Sequence, residues 1–145
     1  MIPKFRAWDK EIKMMIEISL IDFEKHVIRG THWKFGETES IKFNDIALMQ
    51  STGRRDKKGK GIFDGDILEI QGIRMIVKFG SYKYLETSKN NGHILGILHD
   101  GLGFYVECIN VAVPDNISPF EPETLKNSQI IGNIYENPEF LEDGK

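Results

Sequence analysis

Apolar and polar side chains alternate along much of this chain at the two-residue period of a strand with one buried face. Lys4-Phe5-Arg6-Ala7-Trp8 alternates, Asp9-Lys10-Glu11 is polar, and Ile12 to Ile18 is apolar again, which predicts an opening hairpin. From Ser19 to Asp45, β-friendly pieces such as His32–Phe35 and Ile41–Phe43 mix with Gly30 and Gly36, so short strands and loops are expected. The clearest hairpin joins Ile67–Ile70 to Ile73–Phe79 through Gln71-Gly72, with Ile73, Met75, Val77 and Phe79 on one face. Ile94–Leu98 and Phe104–Ile109, separated by His99-Asp100-Gly101-Leu102-Gly103, predict another hairpin. Pro114 to Pro122 holds three prolines and is expected to be a loop. Gln129–Tyr135 reads as a last strand. Asn137-Pro138-Glu139 then reads as a short helical start with the Asn137 side chain as cap.

These elements predict a mainly β fold with little helix, its core built around Ile67, Ile70, Val77, Phe79, Phe104 and Val106. No repeat of 20 to 50 residues or heptad pattern points to a solenoid or coiled coil. At 145 residues the chain fits one domain, or two small β subdomains of about 1–60 and 61–145. Its 40% hydrophobic and 28% charged residues are a globular composition. The single cysteine, Cys108, excludes an intrachain disulfide and reads as a packed thiol. Met1–Arg6 lacks a signal-peptide pattern, and no run approaches the roughly 20 apolar residues of a membrane span. A cytoplasmic protein without a membrane partner is expected.

Charge changes the picture at one place. The net charge is −3, which disfavours tight non-specific binding to nucleic acid. Yet Arg54, Arg55, Lys57, Lys58 and Lys60 crowd seven positions with only Asp56 against them. Gly53, Gly59, Gly61 and Gly65 punctuate this stretch, but they precede a strand and lack the P-loop sequence, so a phosphate cradle of that kind is rejected. A solvated hairpin tip is the simpler reading, with glycine supplying positive φ. A nucleic-acid or partner-binding site is the sharper one, with Trp33, Tyr82 and Tyr84 as candidate stacking groups.

Other candidate chemistry is thin. Asp64 and Asp66 could ligate a hard cation in a metal-dependent nuclease or phosphoesterase, but Glu69 would project to the opposite face of an extended segment. Asp64-Gly65-Asp66 leading into a strand is also what a turn requires, and this structural reading is preferred. His26, His32, His93 and His99 show no metal-ligand spacing and read as surface or edge residues. Ser51, Ser81, Ser88, Ser118 and Ser128 lie outside any nucleophile elbow. No catalytic residue, metal site or cofactor is predicted.

Three blocks, Lys4–Asp9, Leu48–Ile67 and Ile131–Glu139, together resemble the YopX family of phage and prophage proteins over essentially the whole chain. The resemblance implies a single YopX-like domain, 1–145, of small SH3-like β-barrel architecture. It implies a phage or prophage accessory protein in a bacterial host and brings no reaction with it. Ser51 stands where the family usually has an aromatic residue and Arg54 where it has an apolar one, so this loop is more polar. The leading expectation is a non-enzymatic module that binds an unknown protein partner or assembles with itself as a homo-oligomer. The alternatives are nucleic-acid binding through Arg54–Lys60 and metal-dependent hydrolysis through Asp64 and Asp66.

Overall fold

The computed structural model describes residues 4–90, 93–110 and 117–142, with backbone alone at 87–90 and 93–95. The chain divides into two compact units, Met1–Gly53 and Arg54–Lys145. The boundary falls inside a strand.

The first unit is an antiparallel sheet of β1 (Phe5–Asp9), β2 (Met14–Asp22), β3 (Val27–His32), β4 (Gly36–Glu37), β5 (Ile41–Lys42) and β6 (Ile46–Arg55), with a 3-10 turn at Phe43–Asp45. The order is β4-β3-β2-β1-β6, with β5 also on β3. The opening hairpin is present, with Ala7 opposite Ile16. Ala7, Ile28 and Ile46 form the buried core, flanked by Ile18, Ile21, Ile41 and Phe43. Polar strand ends close its turns. Asp9 Oδ1 accepts the amides of Glu11 and Ile12, and Asp22 Oδ1 those of Glu24 and Lys25.

The second unit contains β7 (Gly61–Phe63), β8 (Asp66–Ile70), β9 (Ile73–Asn90), β10 (His93–Cys108), β11 (Ile117–Pro119), the short helix α1 (Pro122–Lys126) and β12 (Gln129–Asn133). Its sheet runs β11-β10-β9-β8-β12. Ile62, Leu68, Met75, Val77, Val106 and Leu125 make its core. The Gln71-Gly72 hairpin is present, pairing Ile70 with Ile73 and Leu68 with Met75.

The mainly β expectation holds: the described strands form two antiparallel sheets, and no closed barrel is found among them. Other expectations are corrected. The hairpin expected between Ile94–Leu98 and Phe104–Ile109 does not form: Ile94–Leu98 and Phe104–Cys108 both lie in β10, paired with β9 from His93 opposite Asn90 to Cys108 opposite Met75. Its glycines serve a ribbon instead of a turn. A Cβ on Gly101 would lie 2.3 Å from Tyr82 Cζ, so glycine makes room for that ring. Gly103 opposes Gly80, at φ of +136° and +150°, where other residues are strained. In the expected core, Phe79 is 53% exposed because it sits beyond the covered part of the ribbon. Ile67 is buried but pairs with Ile76, on the face opposite Val77.

The proline-rich stretch also carries structure: Ile117–Pro119 pairs with Tyr105–Glu107, and Pro122 opens α1. Pro114 lies outside the described residues. After β12 the expected helical start is a 3-10 turn, Pro138–Leu141, which Asn137 precedes without a side-chain cap bond. Asn137 Oδ1 instead accepts the amide of Asn133.

Candidate functional site

Arg54 and Arg55 close β6, and residues 56–60 form the tip before β7, so the basic segment is part strand and part turn. Gly53 and Gly59 have φ of +77° and +82°. Arg54, Arg55, Lys57, Lys58 and Lys60 are all exposed.

The centre of the tip is the residue that sequence reasoning treated as a stray countercharge. Asp56 is 6% exposed. Its Oδ1 accepts the amides of Lys58 and Lys60 at 3.0 and 2.9 Å, and its Oδ2 accepts the Ile130 amide of β12 at 2.9 Å. The backbone adds bonds from Asp56 N to Lys60 O and from Lys57 N to Ser128 O, at 2.9 and 2.8 Å. Burial pushes the Asp56 carboxyl up, but the amides of Ile130, Lys60 and Lys58 and the Lys60 ammonium outweigh it and hold it below its ordinary value. The tip is thereby fastened to the segment after α1, which brings in exposed Lys126, two residues before Ser128. The aspartate three residues before Gly59 was the available sequence signal for this turn. Nothing in the sequence joined it to Ile130 or Lys126.

Asp66 is 1% exposed, and its Oδ2 accepts the Phe63 amide at 2.8 Å, bridging Asp64 and Gly65. Gly65 has φ +89°, donates to Val77 O and accepts from Ile134 N. The Asp66 carboxylate is therefore turned into a turn rather than toward solvent. Asp64, half-buried, lies near Tyr135, whose hydroxyl is pushed up first by burial and then by the Asp64 carboxylate. Among the described residues no group of three or more His, Cys, Asp or Glu could hold a metal ion.

The histidines part company. His32 is 1% exposed, which corrects its assignment to the surface: its Nδ1 accepts the amides of Lys34 and Phe35, both at 3.0 Å, and its Nε2 meets Met14 Sδ. Exposed His26 stacks on Phe43. His99 stacks on Tyr84 and lies 3.3 Å from Glu86 Oε2. The side chains of His93 and Ser88 lie outside the described residues. Cys108 packs against the second core, and burial followed by the Glu107 carboxylate pushes its thiol up, away from the nucleophilic thiolate. Ser128 Oγ is spent on Leu125 O at 2.7 Å. A cleft of about 110 Å³ beside Met75, Val106 and Leu125 is far below the roughly 300 Å³ of small-molecule sites.

The ribbon is the larger feature that sequence reading missed. Among the described residues β8 pairs with β9 only at Ile73–Ile76, and β11 with β10 only at Tyr105–Glu107. Directly opposed residues share a face. One face continues outward from buried Val77 and Val106 through Phe79 and Phe104, Ser81 and Leu102, Lys83 and Asp100, to Leu85 and Leu98. On it Phe79, Leu102 and Leu98 are 53%, 80% and 64% exposed. On the other face Tyr82 stacks on Tyr105 and Tyr84 on His99, so both candidate stacking tyrosines are engaged within the ribbon. Trp33, in the first unit, is 81% exposed. Among the described residues no helix is long and apolar enough to cross a membrane.

Comparison with known proteins agrees with this architecture. A crystal structure of protein EF1440 from Enterococcus faecalis is similar at 27% sequence identity and a TM-score of 0.52, covering 98% of this chain and 99% of that one. A search of curated proteins found no match. The profile described as YopX protein matches residues 4–142, across both sheets, the basic tip and the ribbon. The chain therefore belongs to the YopX protein family.

Proposed function

We propose that the chain is a non-enzymatic association module that assembles with a second copy of itself through the outer β9–β10 ribbon. The observation that carries this reading is the exposed strip of Phe79, Leu102 and Leu98, a direct extension of the buried core face. Midway along it Lys83 Nζ lies 3.9 Å from Asp100 Oδ1. A second copy, laid face to face about a two-fold axis along the ribbon, would set each Lys83 against the other Asp100 and each Leu85 against the other Leu98. The strip is thus complementary to itself in charge and apolarity. In this reading the protein is a phage or prophage accessory protein in the host cytoplasm, akin to small SH3-like modules that work through surfaces.

Light scattering should give a mass that rises with concentration toward a dimer. Leu98→Glu with Leu102→Glu should hold the protein monomeric with its circular dichroism unchanged. Lys83→Asp should weaken association, and adding Asp100→Lys should restore it. A monomer mass for the parent over a wide concentration range overturns the proposal.

A further inference from the structure

We infer that the fastened basic tip, with Lys126 beside it, is a binding site for the phosphate backbone of duplex nucleic acid. The sequence offers five cations at a strand end and the turn after it, and the fold adds two things. First, Asp56 spends both carboxylate oxygens on buried backbone bonds, so its charge sits beneath the tip while the cations are exposed. Second, the bond from Lys57 N to Ser128 O places the last turn of α1 next to the tip, so Lys126 becomes a sixth cation. Glu123, three residues before Lys126, is its neighbour on the same face of this five-residue helix.

The chemistry of the tip selects the ligand. From Gly53 to Gly61 there is no apolar or aromatic side chain. A protein partner would find no buried anchor, a membrane no inserting group, and single-stranded bases no stacking platform. Guanidinium and ammonium groups on a two-stranded hairpin suit phosphates flanking a groove, and a two-stranded ribbon fits the major groove of B-form DNA. The tip, with five cations and one carboxylate, carries +4, so the rest of this −3 chain carries −7. That asymmetry confines contact to the tip and orients it toward a polyanion.

The test is fluorescence anisotropy with the full chain against labelled duplex DNA, duplex RNA of the same sequence and the single strands, over a salt series. Duplex binding should weaken with salt, with a log–log slope no steeper than about −5.4 for six contacts at about 0.9 each. Lys126→Gln should reduce affinity several-fold and flatten the slope by about 0.9, with the melting temperature unchanged. Asp56→Asn makes the protein more positive by one charge, so charge alone would tighten binding. A fastened site predicts weaker binding. Should that variant fail to fold, Lys126→Gln decides alone. The two duplex arms show whether the backbone is DNA or RNA, either of which supports the site. The inference is overturned by absent or salt-insensitive duplex binding, by an unaffected Lys126→Gln, by tighter binding in folded Asp56→Asn, by preference for single strands, or by equal competition from polyglutamate.

Discussion

One residue-scale device recurs at five turns: a side-chain acceptor at the end of a strand takes amides two to four residues ahead. Asp9, Asp22, His32, Asp56 and Asn133 all do this, and Asn133 Oδ1 accepts the amides of Tyr135 and Glu136. Each accepts from turn amides that the ladder cannot satisfy. Asp56 does more, because its second oxygen fastens the turn to β12. Asp56→Asn replaces an acceptor with a donor facing an amide, and should cost about 1.5–3 kcal/mol in a urea titration. The folded carboxyl lies below its ordinary value of 3.8, so its stabilisation is present above that value and is lost as pH falls through the lower folded value. Stability of the parent should therefore drop on the acid side of about pH 4, and Asp56→Asn should lose part of that drop. An identical acid limb in both proteins would refute this role.

At the scale of elements, the ribbon depends on glycines that a linear reading takes for turns. Gly101 accommodates the Tyr82 ring, and Gly80 with Gly103 takes φ values that side chains resist. Gly80→Ala should cost about 1–3 kcal/mol of backbone strain. Amide exchange should show the loss concentrated at Ser81–Leu102, with Leu68 and Val77 still protected. Uniform loss of protection would mean that the ribbon and core are one cooperative element.

For the whole molecule, each unit buries its own small cluster, Ile28 at 0% exposure in the first and Leu125 at 1% in the second. Truncating either to alanine should cost about 2–5 kcal/mol by transfer and cavity formation. Amide exchange should place the early loss of protection in the unit that carries the substitution. If Ile28→Ala and Leu125→Ala give the same exchange pattern, the chain unfolds as a single cooperative body.

Sequence alone determined what short-range physics determines. Period-two alternation gave the β class, the opening hairpin from Lys4 to Ile18 and the Gln71-Gly72 hairpin, and glycine with aspartate marked the turns around residues 59 and 65. Three ordered motif blocks were enough to point to the family. Tertiary structure decided whatever depends on a distant partner. Gly101 and Gly103 belong to a strand because β9 runs opposite them, and His32 is buried because Met14, eighteen residues earlier, lies against it. Phe79 reads as a core residue by alternation, yet it is 53% exposed where the ribbon leaves the sheet. Asp56 meets Ile130 across seventy-four positions, a pairing set by sheet assembly. A local pattern records which side of a strand is apolar, whereas the fold decides what, if anything, packs against that side.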